Sequence, residues 1–402
     1  MKRIKINLLG KVVIAILAGI LLGSFFPLGL ARAFATFNSV FGNFLSFSIP
    51  LIIVGLVIPA IGELGRGAGR LLALTAVIAY GSTIFSGFFT YFSCISIFPH
   101  ILMPQGDLSA VETPVNAALA PFFEVAMPPL MDVMTALLLA FTVGLGISHI
   151  EGTALKNACN DFKEIVTKLI ESVLIPLLPI HIFGIFLNMT RSGQVVGVIS
   201  MFLKVILVIF ALHVLLLLVQ FSIAGLVAGK NPLKLLRMML PAYATALGTQ
   251  SSAATIPVTL AQAEKNGVRP NIAVFVIPLC ATIHLAGSTM KIVACAMAIM
   301  MMAGEPFTFS QMAGFIMMLG ITMVAAPGVP GGAIMAALGL LQSMLGFNET
   351  LQALMIALYI AMDSFGTACN VTGDGAIAVV IDRIAGKRYG TVVSKQEASA
   401  NK

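Results

Sequence analysis

Apolar segments recur along most of this sequence, and they constrain its fold more than any other feature. Each approaches or exceeds the roughly 20 residues that an α-helix needs to span a bilayer. Only 10% of the residues are charged, against about 25% in a soluble domain. We therefore expect an all-α membrane protein, with the fourth segment broken at Pro128 and Pro129. The segments of the first half lie at about residues 9–27, 38–62, 70–97, 115–149, 160–190 and 195–228.

Basic residues cluster on one side of the predicted layout. Most of the 23 Lys and Arg residues fall near the termini and in alternate loops, whereas residues 98–115 include acidic side chains and neither Lys nor Arg. The positive-inside rule then places both termini in the cytoplasm of a multi-pass protein of the inner (plasma) membrane. The net charge of +7 follows from this topology, so we expect the lipid bilayer as a partner and no nucleic acid.

Two apolar segments of the second half are interrupted in their middle. Residues 232–267 contain a polar stretch that ends in Pro257, and residues 307–346 contain a run rich in Pro and Gly. Each half is too short to cross a bilayer, so we expect two re-entrant hairpins. Non-helical backbone at membrane depth is tolerated only where it is buried in protein or lines a cavity. A span follows each hairpin, at 271–302 and 351–384, and such paired interruptions point to the binding site of a transporter.

The last apolar segment carries polar side chains at membrane depth. Asp363, Thr367, Asn370 and Asp374 are spaced by four, three and four residues, so they share one face of a helix. Ionisable groups inside a membrane are costly, and they usually face a cavity and have a function. This face is suited to holding a small polar solute together with a cation.

The sequence lacks the motifs of common enzymes. It has no Ser/His/Asp arrangement, no HExxH and no P-loop, and its five cysteines form no CxxC pair. Neither a zinc site nor a disulfide framework is indicated. We expect no catalytic residue and no cofactor other than a coupling ion.

Four motifs occur in an order and spacing that is specific when taken together. They are Gln-Ser-Ser-Ala-Ala-Thr-Ile-Pro-Val-Thr at 250–259, Pro-Leu-Cys-Ala-Thr-Ile at 278–283, Gly-Val-Pro-Gly at 328–331 and Asn-Val-Thr-Gly-Asp at 370–374. With these motifs the sequence resembles the dicarboxylate/amino acid:cation symporters, which share the glutamate-transporter fold, over nearly the whole chain. In motif character it is nearest to the sodium/serine-threonine symporters of that family.

The resemblance implies an architecture. The fold would have eight transmembrane helices plus two re-entrant hairpins arranged as inverted repeats, and three copies would form a homotrimer. Residues 1–228 would hold six spans, of which spans 1, 2, 4 and 5 form the scaffold while spans 3 and 6 join the transport part. Residues 229–386 would form the transport core and residues 387–402 a cytoplasmic tail. Transport would proceed by alternating access.

The resemblance also implies the roles of individual residues. Asp363 would bind the α-amino group of an amino acid, and Asp374 would hold a cation with nearby carbonyl groups, an oxygen-rich set that suits sodium. The implied substrate-binding residues are Ser251, Ser252, Ser288, Gly328, Val329, Asp363, Gly366, Thr367 and Asn370. The implied cation-binding residues are Cys280, Thr282, His284, Asn370 and Asp374.

One departure from the family concerns the substrate. Acidic-substrate members carry an arginine in the eighth span, where this sequence has Gly366, or at the first hairpin, where it has Gln250. A buried carboxylate without such a partner loses on the order of 2–5 kcal/mol. We therefore expect a small neutral amino acid, with serine, threonine or alanine first.

A second departure concerns the coupling ion. The seventh-span motif Asn-Met-Asp-Gly-Thr of the family is His-Leu-Ala-Gly-Ser at 284–288 here, and Ala286 replaces the aspartate of a deep sodium site. Tyr80 and Thr83 match other groups of that site, yet we expect at least one sodium site to be lost. Lys291 would then replace a missing cation, or His284 would carry a proton. The alternative is that His284 makes a fixed hydrogen bond and that Lys291 snorkels or pairs with a carbonyl group.

Two other functions stay open at this point. One is a proton-driven carrier of dicarboxylates or acidic amino acids, in which Lys291 or His284 is the positive partner of the substrate. The other is a passive channel for a small solute or an anion. Saturable uptake that depends on a cation gradient separates a carrier from a channel, and neutralising Lys291 separates the acidic carrier from the neutral one.

Overall fold

A computed structural model describes residues 8–65, 70–102, 119–193, 195–326 and 330–385. Within these ranges the regular structure is helical throughout, without strands. In the first half the helices are α1 (Leu8–Gly23), α2 (Leu28–Gly65), α3 (Arg70–Ile101), α4 (Val133–His149), α5 (Ala154–Leu169), α6 (Ile175–Arg191) and α7 (Val195–Ala228), with a π turn at Ile170–Leu174 between α5 and α6. In the second half they are α8 (Pro232–Thr249), α9 (Ser252–Lys265), α10 (Pro270–Ile283), α11 (Ala286–Ala303), α12 (Phe309–Val324), α13 (Gly332–Leu345), α14 (Glu349–Ala361) and α15 (Asp363–Ala385).

Several of the helical stretches are long and apolar enough to cross a bilayer. They confirm an all-helical protein of the multi-pass membrane type, while the division into eight spans and two hairpins stays a prediction. In the described part of the chain these stretches are Leu28–Gly62, Leu71–Ile101, Ala154–Arg191, Val195–Ala228, Pro270–Ala303 and Asp363–Ala385.

The fourth predicted span is wrong over its first half. Residues 119–132 contain no helix, and α4 begins at Val133, while residues 115–118 lie outside the described ranges. Prolines lack the N–H that a helix needs and disfavour helical backbone at the residue before them, so Pro121, Pro128 and Pro129 together delay the helix. Asp132 then caps α4, since its carboxylate accepts the N–H of Thr135.

Helices α11, α13, α14 and α15 form the interior of the molecule. The residues of α11, α14 and α15 are almost all buried, whereas α3 and α7 expose many apolar side chains on their outer faces. Helix α15 packs against α7, α8, α9, α10 and α11. In membranes small residues let helices approach closely, and a Cβ at Gly287 of α11 would lie 2.6 Å from the Cβ of Cys369 in α15. This close contact brings the two polar helices of the interior together.

Both predicted spans of the second half are interrupted. Helix α10 ends at Ile283 and α11 starts at Ala286, and Met362 separates α14 from α15. The two predicted hairpins correspond to the packed pairs α8–α9 and α12–α13. Gln250 turns the first pair with a left-handed backbone, at a φ of 53°. Several helix ends therefore lie in the middle of the second half. Their terminal N–H and C=O groups have no partner within their own helix.

Candidate functional site

A small polar cavity lies where these helix ends meet. Its volume is about 30 Å³, which is room for water molecules but not for an amino acid. It brings together the end of α8, the start of α9, the break between α10 and α11, and the start of α15. The residues that line this central cavity are Gln250, Ser252, Ala281, Thr282, Leu285, Ser288, Ala326, Ala333, Tyr359, Asp363, Thr367 and Asn370.

Most of the predicted substrate-binding side chains reach the cavity. Ser252, Ser288, Asp363, Thr367 and Asn370 all line it, and the last three lie on one face of α15 as their spacing predicts. The hydroxyl of Ser251 instead caps α9 by accepting the N–H of Ala254 at 3.3 Å. The predicted residues Gly328 and Val329 lie outside the described ranges.

Asn370 joins α15 to the first turn of α11. Its Oδ1 accepts the backbone N–H groups of Gly287 at 2.8 Å and Ser288 at 3.3 Å, and its Nδ2 donates to the hydroxyl of Ser288 at 3.1 Å. The first N–H groups of a helix have no partner within the helix. The Asn370 side chain therefore acts as the cap of α11 and fixes the Ser288 hydroxyl at the cavity.

Asp363 uses both carboxylate oxygens on groups of the protein. Oδ1 lies 3.1 Å from the ammonium of Lys291, and Oδ2 accepts the backbone N–H of Gly331, beside the second predicted hairpin tip, at 2.9 Å. Lys291 also donates to the carbonyl of Met362 at 3.3 Å and lies 3.7 Å above the ring of Tyr359. Lys291 is 1% exposed, so it makes the expected carbonyl contact and, in addition, an ion pair inside the protein.

Gly366 makes room for this lysine. A Cβ at position 366 would lie 2.2 Å from Cε and 2.5 Å from Nζ of Lys291, distances that no side chain adopts without displacement. The ammonium therefore occupies the space at the start of the side chain where acidic-substrate members carry arginine. The arginine is missing at Gly366 and Gln250 as the sequence shows, and Lys291, which was left open as a positive partner, lies on Asp363.

The second carboxylate of the α15 face is paired with a histidine. Nδ1 of His284 lies 2.8 Å from Oδ1 of Asp374, and both side chains are buried. Nε2 of His284 lies 3.0 Å from the hydroxyl of Ser82, which in turn accepts a hydrogen bond from Gln220 at 3.1 Å. This row of hydrogen bonds connects α15 and the α10–α11 break with α3 and α7.

The remaining predicted ion-binding residues are spread over several places. The carbonyl of Cys280 accepts the N–H of His284 at 2.9 Å, and the hydroxyl of Thr282 donates to the carbonyl of Leu279 at 2.7 Å. Tyr80 donates to the carbonyl of Met317 at 3.4 Å, and Thr83 donates within α3. Among the described residues, Asp374, His284 and Cys280 thus form a connected group, whereas Tyr80 and Thr83 bond elsewhere.

Comparison with known proteins gives matches that cover most of the chain. The sequence profile of the sodium:dicarboxylate symporter family matches residues 8–384. The chain belongs to the sodium:dicarboxylate symporter family. It is also similar to the serine/threonine transporter SstT of Streptococcus suis (strain 05ZYH33), with 26% identity over 339 residues, which are 82% of this chain and 93% of that relative.

Membership of the symporter family confirms the resemblance drawn from the motifs. The family and the streptococcal relative are transporters, not enzymes, so the protein is a membrane symporter that couples a solute to a cation. The central cavity lies on α15, the helix with the most polar face of the interior. We take it as the candidate binding site of this symporter.

Three residues at the site of this symporter, Ser82, Gln220 and Tyr359, and one contact were not predicted from the sequence; Tyr359 lines the cavity and lies against the ammonium of Lys291. Ser82 and Gln220 carry the hydrogen bonds behind His284, and the isolated polar Gln220 within the apolar stretch of α7 was an available signal. The missed contact is the ion pair of Lys291 with Asp363. Gly366, one turn from Asp363 on the same helix, was its only sign.

Proposed function

We propose that this protein is a secondary active symporter that imports a small neutral amino acid, serine, threonine or alanine first, together with sodium. The observation that carries the proposal is the buried carboxylate of Asp363 at the wall of a small polar cavity. The printed name of the streptococcal relative, a serine/threonine transporter, supports the same class.

Binding would begin with the release of one contact. The N–H of Gly331 occupies Oδ2 of Asp363, so the second hairpin has to move before an α-amino group can donate to that oxygen. The α-carboxylate would then lie against Ser252, Thr367 and Ser288. Ser252 is the first residue of α9, and free N–H groups at a helix N-terminus favour an anion.

Closure of the second hairpin over substrate and cation would prevent uncoupled leak. Alternating access then follows if the transport core at 229–386, with spans 3 and 6, moves against a scaffold of spans 1, 2, 4 and 5. A homotrimer in the plasma membrane, eight spans with two hairpins, and both termini in the cytoplasm complete this proposal. The apolar outer faces of the first-half helices are consistent with contact to lipid or to other copies.

The proposed sodium site centres on Asp374. Sodium prefers hard oxygen ligands, and the carboxylate of Asp374 and the carbonyl of Cys280 would supply them. Nδ1 of His284 lies 2.8 Å from Oδ1 of this carboxylate. Sodium therefore has to share Asp374 with the imidazole or displace the imidazole. A proton as the coupling ion is the alternative.

Uptake into proteoliposomes tests the proposal. Purified protein should take up labelled serine in a saturable manner when a sodium gradient is imposed, and not when sodium is equal on both sides. Liposomes without protein provide the control. Uptake that does not saturate and ignores the gradient would indicate a channel, and uptake driven by a proton gradient alone would exclude sodium.

One observation favours a second candidate, a carrier of acidic amino acids or dicarboxylates. The ammonium of Lys291 lies beside Gly366, next to the position where acidic-substrate members carry their arginine. A substrate with a second carboxylate would then find a positive partner there. Labelled aspartate or glutamate taken up in place of serine would support this candidate and refute the neutral one.

A further inference from the structure

Asp363 has its charge balanced by the protein itself. Its partner Lys291 is buried beneath the cavity wall and is not among the residues that line the cavity. We propose that Lys291 is a specificity-determining residue of this symporter: the substrate has to donate a hydrogen bond to Asp363 but need not bring a positive charge. The site would then accept 2-hydroxy carboxylates as well as the corresponding amino acids. This inference rests on the proposed function of the central cavity.

Lys291 and Gly331, which both contact Asp363, belong to different parts of the structure. Lys291 lies on α11 and its second acceptor, the carbonyl of Met362, lies at the break before α15. Helices α11 and α15 are held together at Gly287 and by the contacts of Asn370. Gly331, by contrast, lies just before α13. Movement of the second hairpin therefore frees Oδ2 and leaves the ammonium on Oδ1.

The lysine is held in place by more than the ion pair. Its ammonium also lies over the ring of Tyr359 at 3.7 Å, an arrangement that attracts cations more strongly when water is excluded. Its stem fills the space above Gly366. Tyr359 also lines the cavity, but Lys291 itself does not, so a ligand can bind there without displacing the ammonium.

The free oxygen of Asp363 then needs only a donor. The ammonium of an amino acid and the hydroxyl of a 2-hydroxy acid both donate hydrogen bonds, and bonds to a charged acceptor are among the stronger ones. Without Lys291 a hydroxyl ligand would leave a buried carboxylate uncompensated. Loss of one partner of a buried ion pair corresponds to roughly 10²- to 10³-fold in an equilibrium constant.

Matched pairs of ligands test the inference on the purified full chain. L-Serine and L-glycerate differ only in the α-substituent, and so do L-aspartate and L-malate, which cover the acidic candidate. Binding is measured by thermal shift and calorimetry in sodium. In whichever pair the wild-type protein binds, we expect the dissociation constants of the hydroxy acid and the amino acid to lie within about 10-fold of each other. Hydroxypyruvate, which has no donor at that position, should bind far more weakly than glycerate.

Variants then assign the effect to the lysine. Lys291→Gln should weaken binding of the hydroxy acid by about 100-fold or more relative to binding of the amino acid. The matched control is Lys204→Gln. Lys204 is another lysine of an apolar helix and donates to the carbonyl of Ile101, so its substitution should leave the ratio of the two affinities unchanged. If Lys291→Gln does not fold, Asp363→Asn gives the reverse test, because it should weaken binding of the amino acid more than binding of the hydroxy acid.

Three results overturn the inference. In the first, the wild-type protein binds the hydroxy acid more than 100-fold more weakly than the amino acid. In the second, Lys291→Gln leaves the ratio of these two affinities unchanged. In the third, neither member of either pair binds. The last result also refutes the proposed function. Binding and sodium-driven uptake of serine together with rejection of glycerate would refute the inference alone.

Discussion

Gly366→Ala is the most direct perturbation of the site because the structure gives its steric consequence. The new Cβ would lie 2.2 Å from Cε and 2.5 Å from Nζ of Lys291, so the ammonium has to leave Oδ1 of Asp363. Breaking a buried pair costs about 3–5 kcal/mol. The Gly331 N–H remains on Asp363, so we expect the lower end, about 3 kcal/mol. For a chain of 402 residues this corresponds to a fall in the apparent unfolding midpoint of roughly 4 °C.

The assay is thermal unfolding of purified protein in detergent, arranged as a double-mutant cycle. Lys291→Ala removes the atoms that the new methyl group meets, so Gly366→Ala should cost less than about 0.5 kcal/mol in that background. Gly146→Ala is the control, since a Cβ there meets no atom within 4 Å. The reasoning is refuted if Gly366→Ala lowers the free energy of unfolding by the same amount with and without Lys291. It is also refuted if Gly366→Ala leaves the free energy of unfolding of the wild-type protein unchanged.

Three further predictions concern ligand binding and coupling. The double variant Gly366→Arg with Lys291→Ala should gain binding of aspartate, seen as stabilisation of about 2.7 kcal/mol at 100 times the dissociation constant. Asp374→Asn should lower sodium-driven uptake of serine by at least about 10-fold, because a neutral amide is a poorer sodium ligand than a carboxylate. Ser252→Ala should weaken serine binding in calorimetry by about 1 kcal/mol, or roughly five-fold, through loss of one hydrogen bond.

Each of these predictions has an outcome that contradicts it. The arginine variant fails if aspartate gives no shift although the protein unfolds cooperatively. Sodium-driven uptake that survives in Asp374→Asn would place the coupling ion elsewhere. Unchanged serine affinity in Ser252→Ala would remove the first hairpin from the carboxylate contact, and Ser222→Ala, on the exposed side of α7 with its hydroxyl bonded within the helix, is the matched control.

The polar face of α15 was predictable because it depends only on spacing along one helix. Asp363, Thr367, Asn370 and Asp374 fall on that face whatever surrounds the helix. The interruptions at 249–257 and 326–332 were equally readable, since Pro and polar residues break helices locally. The break at Met362 was not, because neither Pro nor Gly marks it in the sequence.

Contacts between helices were beyond the reach of the sequence. The pairing of Lys291 with Asp363 depends on how α11 and α15 are rotated about their axes, and no local pattern specifies that rotation. The hydrogen bonds from His284 through Ser82 to Gln220 likewise join three helices that are far apart in the chain. The start of α4 at Val133 depends on the summed effect of three prolines, of which sequence analysis weighed two.

The overlap of Lys291 with the space above Gly366 also limits how such a site can evolve. A side chain at position 366 meets the end of Lys291, so a lysine paired with Asp363 needs glycine at 366. An ancestor with arginine on α15 gains no such pair from the lysine until the arginine is lost. The favoured path between the two arrangements passes through a site with glycine at 366 and no lysine at 291, in which Asp363 depends on its ligand for a counter-charge.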